Sequence, residues 1–252
     1  MNKIVAIFAF LAVLALGGGS VLQPVLASDE AVAPQDCRVW NLTADTLAML
    51  TPQQKEAESS QDRSSLPCNS PRVWRFLQSS TLTRDPNTYA PLSRYLPNAF
   101  GIVGLKLWDG SYVDPLVNQP FIGINTTGQV QQPLTLIWPT YAVVAHPAPA
   151  QLLIVSWRSP IRGHVQVTGG VRDIDNQGGD GIAWFIDRGI TNLAVGEYYD
   201  GGVQSFLDGT GGNNLNMIAV NRGDVLYFAL HPKGNYSNDS TRLDITIVAL
   251  PR

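Results

Sequence analysis

The sequence predicts an all-β chain, and three features carry that expectation. From Val73 onward, short apolar or alternating runs are interrupted every 8 to 15 residues by Pro, Gly, Asn and Asp, the texture of a sandwich or barrel. Val165 and Val167 alternate with His164, Gln166 and Thr168, while Leu243, Ile245 and Ile247 alternate with Asp244 and Thr246. Each such strand buries one face and wets the other. Helical period is absent after residue 60, and no internal repeat suggests a solenoid or propeller.

Taken in chain order, Lys3 is followed by an apolar run from Ile4 to Leu16 and by Val25, Leu26 and Ala27. A basic residue, a short apolar run and a small residue before Ser28 predict a secretory signal peptide over 1–27. The run is shorter than the roughly 20 residues that span a bilayer, and no cysteine stands at its end to carry a lipid. The expected localisation is therefore secreted, periplasmic or cell-surface, with no membrane span after cleavage. Formal net charge is -3 and no basic run occurs, which argues against nucleic acid and anionic membrane as partners.

Residues 28–71 are polar and read as an N-terminal extension. Its one predicted helix starts at Thr51 and Pro52 and continues from Gln53 to Glu58. The two cysteines, Cys37 and Cys68, both fall in this extension. In an oxidising compartment they are expected to pair, stapling the segment with about 3 to 4 kcal/mol by loop-closure entropy. Their spacing fits no metal or redox motif.

The body, 72–252, is expected to be one β domain. "QLLIVSW" and "DVLYFAL" are continuous apolar runs, as in central strands covered on both faces. Pro160 ends the first of these, and "RSPIRG" connects to the next strand.

"VRDIDNQGGDGIAWFIDRG", 171–189, holds the densest carboxylate pattern. Asp173, Asp175, Gln177 and Asp180 offer hard oxygens at near-alternate positions around Gly178, which suits calcium. The twelfth position of a helix-loop-helix calcium site is Trp184 rather than Glu, so that particular site is excluded. Two readings stand: a structural calcium on Asp173, Asp175 and Asp180, or an ordinary acidic turn. A glycoside hydrolase would need a second carboxylate about 5 to 9 Å across a cleft; Asp187 and Asp200 are the candidates. Ser156 and Ser205 lack an elbow motif. His146, His164 and His231 are scattered, which favours structural roles over zinc ligation.

Sugar recognition uses aromatic faces against pyranose C–H groups and a few oriented polar groups. Trp157 and Trp184 fall in strand phase and read as core. "LWDGSYVD" places Trp108 and Tyr112 around an expected Asp-Gly turn, and "GEYYDGG" places Tyr198 and Tyr199 beside Asp200. These five residues are the candidate ligand platform, the competing reading being that each ring closes an end of the sandwich. Asn41, Asn125, Asn235 and Asn238 each begin an N-glycosylation triplet.

The order "VVAHPAPAQLLIVSWRSPIRGHVQVTGG", the Gly-rich "DGI" turn, "VNRGDVLYFAL" and "NDST" before the last strand, with "VWRF" and "NQPFIGIN" upstream, resembles a jelly-roll module of secreted bacterial proteins. The resemblance covers roughly 72–250 and implies a jelly-roll β-sandwich similar to carbohydrate-binding modules. It implies a non-catalytic, monomeric module whose partner is a polysaccharide or glycan, with unmodified Asn triplets. The alternatives are a structural or adhesive surface protein and, further off, a glycoside-active enzyme working through Asp carboxylates.

Overall fold

The computed structural model describes residues 39–50, 71–175 and 177–251. The expected signal peptide, Cys37, Cys68 and the expected helix at 51–58 lie outside the described residues. The elements run β1 (Val39–Asn41), α1 (Leu42–Met49), β2 (Trp74–Gln78), β3 (Ala90–Pro91), β4 (Arg94–Leu96), β5 (Leu105–Tyr112), β6 (Gln119–Asn125), β7 (Val143–His146), β8 (Leu153–Arg158), β9 (Gly163–Asp173), β10 (Ala183–Arg188), β11 (Thr191–Glu197), β12 (Val203–Ser205), β13 (Ile218–Val220), β14 (Val225–His231) and β15 (Thr241–Ala249). Short 3-10 turns make up the other helical residues described.

Two antiparallel sheets form a β-sandwich. One has the order β12-β9-β15-β7-β6-β5-β4, and the other β11-β10-β14-β8-β2-β3. In the first, β15 pairs along its full length with β9, while its other flank is shared end to end by β7 and β1. Likewise β12 and β13 share one flank of β9. The chain changes sheet at β1 to β2, β3 to β4, β7 to β8, β8 to β9, β9 to β10, β11 to β12, β13 to β14 and β14 to β15, so many neighbours in sequence lie in opposite sheets.

Strand period explains what fills that core. Val165, Val167 and Val171 from β9 and Leu243, Ile245 and Ile247 from β15 meet Leu153, Val155 and Trp157 from β8 and Leu226, Phe228 and Leu230 from β14. The alternation read from sequence is this buried face. β8 and β14 are also apolar on their outer side because Leu152, Ile154, Leu77 and Ala229 pack beneath Leu82 and Tyr89. A second outer layer lies on the other sheet, where Leu105, Leu107, Phe121 and Val144 are covered by Leu136, Trp138 and Ala142.

The structure differs from expectation at two places. Residues 39–50, read from sequence as part of a separate extension, belong to the sandwich. β1 completes a flank of β15, and Trp40 and Leu42 are buried in the main core. The Asn41 carboxamide caps α1 by accepting from the Ala44 N–H at 3.0 Å, as Asn commonly does. Second, Asp109-Gly110 is no turn. β5 runs through it with an irregularity between Asp109 and Tyr112, and the fully buried Asp109 carboxylate is held by Arg94 of β4, with Nε at 2.9 Å from Oδ1.

Candidate functional site

At one end of the sandwich the loops 174–182, 198–202 and 232–240 meet, and they carry Asp175, Asp180, Asp200 and Asp239. Asp173 ends β9 and is used as a loop organiser: Oδ1 accepts from the Asp175 N–H at 2.9 Å and Oδ2 from Gly201 N–H at 2.8 Å. Burial pushes its carboxyl up, against the lowering effect of those two donors. Asp175 accepts from the Thr135 hydroxyl at 2.7 Å and the Ser240 N–H at 2.7 Å. Asp180 accepts from the Gly234 N–H through Oδ2 at 3.0 Å, whereas its Oδ1 is buried without a hydrogen-bond partner. The carboxylates expected as calcium ligands thus each tie one loop to another.

A fourth carboxylate was not singled out in the sequence. Asp239, in "NDST", is fully buried, and neither of its oxygens has a hydrogen-bond partner. Burial, followed by the charges of Asp180, Asp175 and Asp173, pushes its carboxyl up to about 8. Among the described residues, no three His, Cys, Asp or Glu side chains converge as a ready metal-ligand group. Lys233 bridges the neighbouring loops, donating to the Asp180 carbonyl at 2.7 Å, lying 3.4 Å from the Glu197 carboxylate and standing 3.7 Å above the Tyr199 ring.

The five residues expected to form one ligand platform are divided among three places. Tyr198 is core: it is buried, and its hydroxyl lies 2.6 Å from that of Thr241. Tyr199 and Asp200 are exposed beside the acidic loops. Tyr112 is part exposed and packs edge-on against Tyr236, centroids 6.1 Å apart. Trp108 lies elsewhere, on the lateral side where β4 and β5 of one sheet approach β2 and β3 of the other.

There Trp108 is flanked by Phe76 at 5.0 Å and Tyr95 at 5.1 Å between ring centroids. The three rings help to line a groove of about 560 Å³ with Arg75, Leu92 and Met49. The groove exists because the two sheets part at this edge: β4 is three residues long and β3 two, too short to close it. A volume of this size lies within the range of small-ligand sites. Trp108 was legible as a candidate aromatic, but Phe76 and Tyr95 were not, since Phe76 comes from β2 of the opposite sheet and Tyr95 from the short β4, and only the folded edge brings both rings to Trp108.

Most of the other residues weighed for chemistry are held by contacts within the fold. Asp187 is 3% exposed and held by Arg84 at 2.6 Å and Asn192 at 2.9 Å. Ser156 is buried within β8, and the Ser205 hydroxyl accepts from the Leu207 N–H at 3.2 Å. His146 is stacked on Phe121, and its Nδ1 lies 2.6 Å from the Pro147 carbonyl. His231 accepts from the Lys233 N–H at 2.9 Å, and burial lowers the pKa of both histidines. His164 sits opposite Ala219 in the sheet. Asn125 is fully buried, its Nδ2 donating to the Gln129 and Trp138 carbonyls, so the folded chain offers no glycan acceptor there.

No helix among the described residues is long and apolar enough to cross a membrane. No protein-family model matches the chain, and no curated protein matches it. Among solved structures, a Podospora anserina GH26-CBM35 beta-(1,4)-mannanase aligns over 44% of this chain at 10% identity with a TM-score of 0.29. The alignment spans 22% of that chain, and likeness of this extent carries no inference about fold or ligand.

Proposed function

We propose that the chain is an exported, non-catalytic, monomeric binding module of jelly-roll type that takes carbohydrate in the lateral groove. The observation that supports this reading is the convergence of Trp108, Tyr95 and Phe76 on one groove. An aromatic surface suits the C–H faces of a pyranose, and Arg75 and Tyr95 add polar groups to the same lining. The repeated crossing of the chain between sheets supports the jelly-roll reading, and the apolar run with small residues before Ser28 supports export.

The reading places recognition at Trp108 and removes Tyr198 from it, because a buried phenol cannot meet a polysaccharide. A glycan array probed with the tagged protein tests it. Retention on a defined set of polysaccharides, lost on changing Trp108→Ala, supports the proposal. Uniform absence of retention by the folded wild-type protein across the array contradicts it.

A further inference from the structure

We propose that the loop end binds a calcium ion through the carboxylates of Asp180 and Asp239. The site draws on two loops, rather than on Asp173, Asp175 and Asp180 of one. It is separate from the lateral groove and independent of the proposal made for it.

Three oxygens carry the inference. Both carboxylate oxygens of Asp239 and Oδ1 of Asp180 are buried and lack any hydrogen-bond donor among the described residues. Asp239 is 0% exposed, so water cannot serve it from the surface. Buried polar groups in folded proteins are almost always partnered, and an unpartnered carboxylate is among the costliest exceptions. The neighbouring carboxylates deepen the problem: Asp173 and Asp175 bring further negative charge while their own oxygens are committed to Gly201, Asp175, Thr135 and Ser240.

The loops that present these oxygens are firmly fixed. Asn238 Nδ2 donates to the Gly178 carbonyl at 2.8 Å, Ile174 N–H to the Ser240 carbonyl at 3.0 Å, and Gly234 N–H to the other oxygen of Asp180 at 3.0 Å. The arrangement is therefore held by backbone contacts that do not use the three orphaned oxygens. Lys233, the nearby cation, has its ammonium engaged by the Asp180 carbonyl and Glu197.

The donor set selects the ion. It is all hard oxygen, without thiolate or imidazole among the orphaned atoms, which favours calcium or magnesium over zinc. Calcium accepts irregular geometry and takes backbone carbonyls as further ligands, whereas magnesium demands a near-ideal octahedron. Two carboxylates from separate loops, an irregular set, fit the more tolerant ion.

The test is calorimetric titration of calcium chloride into the chelator-treated full chain, alongside thermal melts in excess chelator, millimolar calcium and millimolar magnesium. The expected result is one calcium per chain and a melting midpoint raised by about 5 to 10 °C, the size that saturation to 100 times the dissociation constant gives a domain of this length. Asp239→Asn should weaken binding at least tenfold, whereas Asp208→Asn, an exposed aspartate away from the site, should not. If Asp239→Asn fails to fold, Asp180→Asn serves in its place. Absence of calcium binding by wild-type protein, magnesium binding as tight as calcium, or wild-type affinity in the folded Asp239 or Asp180 variant would each overturn the proposal. A wild-type protein that ignores calcium while Asp239→Asn melts higher would show that Asp239 is simply a buried acid.

Discussion

Trp40 stands edge-on to Trp157, with ring centroids 5.1 Å apart and planes at 61°. One ring comes from the short β1 and the other from central β8, so residues 39–50 are part of the core rather than a tether. Trp40→Ala should destabilise the fold by about 3 to 5 kcal/mol, the usual cost of removing a buried indole. Urea denaturation measures it. A loss below about 1 kcal/mol would return this segment to the status of an appendage.

The Arg94 to Asp109 pair gives a second expectation. Asp109 is fully buried, whereas half of the Arg94 side chain is exposed. Removing the guanidinium strands a charge inside β5, so Arg94→Met should cost about 3 kcal/mol, the low end for a broken buried pair because solvent reaches the arginine. Adding Asp109→Leu should recover most of that loss. A double variant no more stable than the single one would show that the carboxylate is not the source of the cost.

These two sites also show what could be read in the sequence. Strands such as β9 and β15 were legible because one-sided burial writes itself as period-2 alternation, and β8 and β14 because two-sided burial gives unbroken apolar runs. β5 was obscured by Asp109-Gly110, a dipeptide common in turns that here is carried inside a strand by the Arg94 contact. β1 and α1 are short, and their apolar residues, Trp40 and Leu42 among them, follow no clean strand or helix period, so their burial comes from docking to the sandwich. Trp108 was visible as a candidate, but its groove forms only where β2 and β3 of one sheet come beside β4 and β5 of the other. Asp239 was hidden most completely, since "NDST" has turn composition and burial of its carboxylate is a tertiary effect.

His146 makes stability depend on pH. Burial lowers its pKa, opposed by the Pro147 carbonyl, Asp175 and Asp114. Below about pH 6.5 the unfolded chain takes a proton that the folded chain refuses, so this group removes stability as pH falls. Asp239 acts in the opposite sense without bound cation: its raised pKa adds stability at low pH, which is lost as pH rises toward 8. The expectation for His146 is therefore a difference between proteins. Between pH 7.5 and 5, wild type should lose more stability in urea than His146→Gln. Parallel pH profiles for the two would contradict it.

Paired affinities distinguish the groove between β2 and β5 from the loop end as the place where ligand is held. For a soluble oligosaccharide identified on the array, Trp108→Ala should weaken binding by about 30-fold, equivalent to about 2 kcal/mol for a ring at the centre of an interface. Tyr199→Ala, at the exposed loop end, should change affinity less than about twofold, within the range of residues outside the contact. Full affinity in a folded Trp108→Ala protein, with loss in Tyr199→Ala, would place recognition at the loop end and contradict the account.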